Sequence, residues 1–324
     1  MKAPIPRLLP KNTRMGLPIR ANKGIEAEYK RRLQKLIGNM FASLNWWLGA
    51  EYKRQQKKIL AYDADAPIWR KALDRVPAFD ASPARGMRDV LRQRFRQWYA
   101  EFYEAAERYS RWFASRVNAT ATLSTGASIT HVAGFAVKFK PTRAMNNVMQ
   151  SIITRNVGLI KNIADQTKFQ IEGMVMRSVI SGRDLAGLQA DLKKIFDDNH
   201  RRAERIARDQ INKATEELST ERMKSVGITQ AVWIHSGVAR QPRPTHVAMH
   251  GKPFDLSATD GKEAGLYDSA VKRFVLPGEE PMCDCTKAPL VPAFSRGPKD
   301  MARWNAVGEK IRQRDAQARE RMKA

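Results

Sequence analysis

His246, His250, Cys283 and Cys285 are the residues of this chain best suited to chemistry. Only two cysteines and five histidines occur in 324 residues, and both cysteines and two histidines fall between Arg243 and Cys285. Thiolate sulfur and imidazole nitrogen suit tetrahedral zinc, and a His-x-x-x-His spacing places both rings on one helix face. The four residues are therefore a candidate two-His, two-Cys zinc site. The spacing differs from the common four-ligand patterns, and Cys-x-Cys brings two sulfurs close only with an awkward backbone. In the alternative reading, His246 hydrogen-bonds within the fold and the cysteines pack as small apolar residues. A Cys–His nucleophile would need a lowered thiol pKa and an orienting third group, and the sequence singles out no such group. A disulfide between Cys283 and Cys285 would close a strained small ring.

Other constellations point to surface. Asp197 with Asp198 and Glu279 with Glu280 are adjacent acids whose side chains point apart, one pair at a helix end and the other in a turn. No P-loop, dinucleotide fingerprint, nucleophile elbow or HExxH pattern is present, which argues against an ATPase or a zinc protease.

The charge is informative. The chain carries a net charge of +25 with a sequence pI near 10.3, and such a surface attracts polyanions. Residues 1–60 hold 14 Lys and Arg against 3 Asp and Glu. Residues 1–24, with four prolines, read as an extended basic arm. Lys2, Arg7, Lys11, Arg14, Arg20, Lys23, Lys30, Arg31 and Arg32 are the candidates for contacting nucleic-acid phosphates. The longest apolar run, Met40 to Ala50, is too short to cross a bilayer, and no signal-peptide pattern opens the chain. A soluble protein of a reducing cytosol is expected.

Elements must position these groups. Apolar residues recur at helical spacing from Ile25 to Leu60 and again from Gly86 to Asn118, the second with an aromatic stripe that includes Phe95, Trp98, Phe102, Trp112 and Phe113. That stripe reads as helix–helix core before it reads as a base-stacking surface. Residues 119–142 are rich in Thr, Ser and Ala and end in the strand-like alternation FAVKFKPT. Helices follow over Met145–Ile180, from Asp184 to about Asn199, and over Arg201–Val226, stopped by Gly227. The run from Arg201 reads as a surface helix with mixed charges. Strands are expected at Gln230–His235 and Thr286–Val291. The fold class is mainly α: long helices in the N-terminal and central region, then a small α+β C-terminal module. The expected segments are a basic arm (1–24), an aromatic-rich helical domain (25–142), a second helical domain (143–227), the terminal module (228–295) and a basic helical or loose tail (296–324).

The ordered set IITRNVGLIKNIADQTKFQIEGMVMRSVISGRDLAGLQADLKKIF, RRAERIARDQINKATEEL, VWIHSG, RPTHVAMHGKPF, LPGEEPMCDC and LVP resembles the Mu F-like minor head proteins of tailed bacteriophages, over about residues 135–292. The family's marked positions fall on Arg208, Asp209, Trp233, Arg243, His246, Gly251, Pro277, Gly278, Cys283 and Cys285. The acidic pair often found before the Arg-x-x-His turn is replaced here by GVARQP, so a catalytic carboxylate is not expected there. The resemblance implies a non-enzymatic component of the virion head at the portal vertex, made in the host cytoplasm. Its implied partners are the portal protein, the major capsid protein, sister copies and packaged double-stranded DNA, with no membrane. Its implied roles are procapsid assembly, DNA packaging and DNA ejection. No cofactor is expected unless zinc occupies the His/Cys cluster. The competing reading is a zinc- or Cys/His-dependent nuclease or toxin-like enzyme carried in the virion; a plain DNA-binding regulator is disfavoured by the lack of a helix-turn-helix.

Overall fold

The computed structural model describes residues 12–65, 83–180, 185–237, 241–258 and 263–292. Lys2, Arg7, Lys11 and the tail 296–324 lie outside them. Four long helices dominate: α1 (Lys23–Asp65), α2 (Pro83–Ala133), α3 (Arg143–Ile180) and α4 (Leu185–Ser225). A short helix, α5 (Pro244–Ala248), and six strands are the other elements among the described residues. The strands are β1 (Thr13–Met15), β2 (Gln230–Ile234), β3 (Pro253–Asp255), β4 (Leu266–Asp268), β5 (Arg273–Val275) and β6 (Thr286–Pro292). The mainly α class with a small C-terminal strand module is thus the observed one.

The chain divides into two compact units built from interleaved segments. One contains residues 1–27, 111–153 and 207–324, and the other residues 28–110 and 154–206. The consecutive segments read from sequence do not follow this division, because each long helix contributes a stretch to both units.

The second unit is helical. Its core holds Tyr29, Leu33, Ile37, Met40, Leu44, Leu91, Phe95, Phe102, Ile160, Ile163 and Ile171, all fully buried or nearly so. Burial of these rings bears out the core reading of the aromatic stripe. Buried polar groups are matched: the Tyr29 hydroxyl donates to Asn156 Oδ1 at 2.9 Å, and the Asn199 amide donates to Thr167 Oγ1 at 3.1 Å and to the Ile195 carbonyl at 3.0 Å. Asn199 therefore does not end a helix; α4 runs unbroken where two helices were expected.

The first unit carries the sheet. All its pairings are antiparallel, in the order β1-β6-β2-β3. One sheet face packs Ala231, Trp233 and Val291 on Ile19, Ile129, Met223, Ile228, Met249, Phe254 and Leu256, and the other gathers Val232, Ile234, Ala288, Leu290 and Met15. A separate hairpin joins β4 and β5. The arm is not wholly extended and free: β1 pairs Thr13 with Pro292 and Met15 with Leu290, and Ile19 is buried.

Two further expectations are corrected here. Helix α2 continues through 119–133, because the hydroxyls of Thr120, Thr122 and Ser124 donate to carbonyls four residues back. Phe135, Val137 and Phe139 do face the core in alternation with exposed Lys138 and Lys140, yet the segment joins no sheet. The C-terminal half of α4 is no surface helix either: Asn212, Glu216, Ser219 and Arg222 are buried along with the apolar stripe. Gly227 stops α4 as expected, its N–H donating to the Lys224 carbonyl while Ile228 N–H donates to that of Met223.

Candidate functional site

The segment 283–285 leads from a turn at Met282, whose φ is +58°, into β6. Side chains two apart then share a side, so Cys283 and Cys285 both face inward while Asp284 faces α4. The unusual backbone anticipated for Cys-x-Cys falls on Met282, just before the first cysteine. Both sulfurs approach one ring nitrogen: Cys283 Sγ is 3.4 Å and Cys285 Sγ 3.8 Å from His246 Nδ1. His246 is on α5, whose first residue after the N-cap is Pro244. The other ring nitrogen, Nε2, meets Asp268 Oδ2 of β4 at 3.2 Å, and Asp268 Oδ1 accepts the Ala270 N–H at 2.9 Å. Trp233 of β2 stands edge-on to the imidazole, with ring centroids 5.2 Å apart. His246 is 2 % exposed, Asp268 0 %, Cys283 4 % and Cys285 5 %.

His250 does not join this cluster. Helix α5 ends at Ala248, so the two histidines share no helix face. His250 Nδ1 instead accepts the backbone N–H of His235 at 3.1 Å. Among the described residues, the donor atoms of His246, Cys283 and Cys285 form the one group of three that lies within 4.8 Å and could hold a metal.

The electrostatics follow from close packing of the two sulfurs. The hydrogen bond from Cys285 pushes the Cys283 thiol down to about 4 against the cost of burial, with help from His246. Cys285 is pushed up by the same hydrogen bond and by burial. His246 is raised, first by its hydrogen bond with Cys283. Burial alone would raise Asp268, but the Ala270 N–H and the His246 ring hold it below the usual carboxylate range. Cys283 is thus the sulfur pushed toward the thiolate, beside a ring oriented by a carboxylate. A thiolate, an imidazole and an orienting acid are the parts of a nucleophile, and Asp268 is the third group that the sequence did not reveal. A nucleophile must be reached by substrate, and these atoms are enclosed.

A polar ladder on α4 holds the cysteine segment in place. Arg208 forks onto both Asp284 oxygens, and Asn212 donates to the Cys283 carbonyl at 3.1 Å and to Asp284 Oδ1 at 2.7 Å. One turn further on, Glu216 meets Lys287 and Thr286. The spacing of 208, 212 and 216 is i, i+4, i+8, one helix face. Asp209 accepts the Met282 N–H at 2.9 Å and pairs with Lys213 at 2.9 Å. Burial would raise Asp284, but the bonds from Arg208 and Asn212 hold it low.

The remaining motif residues also serve the scaffold. Arg243 donates to the Pro281 carbonyl at 2.8 Å. The Gly251 N–H donates to the Trp233 carbonyl at 2.8 Å. Pro277 and Gly278 form a buried turn against α4, where a Cβ on Gly278 would lie 2.9 Å from Glu216 Cγ. Glu280, read as solvated, is 8 % exposed and bound by Arg273, which also holds Glu279.

The basic candidates are scattered. Arg14 and Arg20 are exposed. Lys23 pairs with Glu26, Lys30 with Glu204, and Arg31 and Arg32 with Glu28. Among the described residues no helix is long and apolar enough to cross a membrane.

Comparison with known proteins agrees with the motif order. Residues 169–288 match the family model described as Phage Mu protein F like protein. A Haemophilus influenzae protein named only as uncharacterized is 22 % identical over 282 residues, covering 85 % of this chain and 55 % of its own length. The chain thus spans about half of that relative. No solved structure matches. The family match begins inside α3, later than the motif reading placed it, and it takes in all ten motif positions. Over residues 169–288 the chain carries the Mu F like sequence pattern, and it is to this family of phage proteins that it is similar.

Proposed function

We propose that the chain is a minor head protein of a tailed bacteriophage, built into the head near the portal. The family match over 169–288 supports head morphogenesis as the general role. One observation carries the structural reading. Arg208 and Asp209 fasten the cysteine segment to α4, Arg243 ties its approach at Pro281 to the start of α5, and Trp233, Gly251 and Gly278 are spent on packing or backbone bonds within the same module. A motif kept for catalysis would leave its polar atoms facing a cleft.

In this reading the portal protein, the major capsid protein or sister copies take up exposed rings such as Trp46 and Phe169, which are 73 % and 80 % exposed. Packaged double-stranded DNA lies against the basic surplus. Four of the six described candidate cations already hold carboxylates. The DNA contact is therefore one of net charge rather than of a dedicated groove, and it is independent of sequence. The first test is composition: mass spectrometry of purified heads, with and without a portal deletion, finds this chain in the particle and loses it with the portal. The second is DNA binding by the purified chain, whose log affinity falls against log salt with a slope of about −0.9 per phosphate neutralised. Absence from particles overturns the head assignment, and salt-insensitive binding overturns the DNA contact.

A further inference from the structure

Three donors of one buried cluster come from two chain segments 37 residues apart, and their spacing is that of a metal's coordination sphere. With Zn–S about 2.3 Å and Zn–N about 2.0–2.1 Å, a tetrahedral centre separates sulfur from nitrogen by about 3.6 Å. The two observed sulfur–nitrogen distances, 3.4 and 3.8 Å, bracket that value. A thiol packed as a small apolar residue has no reason to share one imidazole nitrogen with a second thiol. Metal-binding histidines commonly give their other ring nitrogen to a carboxylate, which fixes the tautomer and the ring angle. Asp268 does this at His246 Nε2, and its second oxygen is anchored on the Ala270 N–H. Two thiolates would neutralise a divalent zinc ion in a site otherwise costly to charge.

We infer that His246 Nδ1, Cys283 Sγ and Cys285 Sγ bind one zinc ion, with Asp268 as the positioning residue behind His246. His250 takes no part. Among the described residues the chain supplies three ligand atoms. Binding releases to solvent any proton held on the two sulfurs and on Nδ1. The ion joins α5, the strand entry to β6 and, through Asp268, the β4–β5 hairpin, so its role is to close the terminal module. This goes beyond the head-assembly reading and stands or falls separately, since that reading is tested on particles.

The test uses the purified full-length chain, stripped with a chelator and then given zinc or cobalt(II) alone. Expected are one equivalent of tightly held zinc, a rise in the unfolding temperature with zinc, and, with cobalt(II), the sulfur-to-metal charge-transfer absorption of a tetrahedral centre that zinc abolishes. The cobalt spectrum reads sulfur ligation in the unmutated chain, so it decides even where a cysteine variant fails to fold. Asp268→Asn should weaken zinc binding by about 10–100-fold, and His250→Ala should leave it unchanged. A folded chain that takes up only substoichiometric zinc, a cobalt complex with no charge-transfer band, or zinc binding undiminished in the Cys283→Ser, Cys285→Ser double variant would each overturn the site.

Discussion

Lys287→Met tests how the terminal module is held to α4. Lys287 is 1 % exposed and Glu216 6 %. The ammonium donates to the Glu216 main-chain carbonyl at 2.8 Å and to its carboxylate, while the Thr286 hydroxyl lies 2.6 Å from the other carboxylate oxygen. Burial pushes Glu216 up and Lys287 down, so neither charge is comfortable without the other. Substitution by Met removes a bond to a neutral carbonyl, worth about 1 kcal/mol, and one to a charged group, worth about 1.5–3 kcal/mol. The total of about 2.5–4 kcal/mol agrees with the ~3–5 kcal/mol cost of orphaning one member of a buried pair. With a urea slope of about 2–3 kcal/mol per molar, the midpoint falls by roughly 1–2 M. Replacing both partners, in Glu216→Leu with Lys287→Met, should recover most of that loss, since a buried pair often adds little over an apolar one. The assay is urea unfolding followed together by circular dichroism and tryptophan emission. A midpoint within about 0.3 M of wild type for the single variant, where ~1–2 M is expected, or a double variant as weak as the sum of the singles, would refute the reasoning.

Further outcomes follow from neighbouring contacts. Asp284→Asn should cost about 1–2 kcal/mol at neutral pH, after allowance for the partial exposure of Arg208. Because Asp284 is held low in the fold, its contribution is complete above the ordinary carboxylate pKa and is lost as pH falls through the depressed folded value. The stability gap between wild type and Asp284→Asn, measured by thermal unfolding, should therefore close below about pH 4; a gap that stays constant into acid contradicts the bond to Arg208. Gly265→Ala places a Cβ 2.1 Å from the Val275 carbonyl oxygen at a residue with φ of +93°, so unfolding should come about 2–4 kcal/mol more easily. The same measurement checks it, and a neutral result would mean that the β4–β5 hairpin is free to shift.

The long helices were legible because their apolar spacing is continuous and their burial one-sided: Leu33, Ile37, Leu44, Phe95 and Phe102 are core, as their periodicity requires. Strands β2 and β6 were legible as short apolar runs between turns. Hydroxyl-rich stretches were not, because Thr122 and Ser124 satisfy their own hydroxyls inside α2 and so permit a helix where composition suggests a break. The histidine and cysteines were visible from scarcity, whereas Asp268 was not, since nothing local marks a strand aspartate as the one that will meet His246. Arg208, Asn212 and Glu216 looked like a solvated face because a polar ladder at i, i+4 spacing reads the same whether it meets water or another segment. His250 was misplaced because α5 is shorter than the spacing assumed.

The pairing of β1 with β6 sets an order on the making of this protein. Residues 13–15 leave the ribosome some 275 residues before their hydrogen-bonding partners at 290–292. Until then Ile19 and the backbone of this strand have no sheet to join, and the ring closed by the contact is among the longest the chain makes. Such closures are slow. Synthesis that stalls before β6 leaves an N-terminal edge open to other chains.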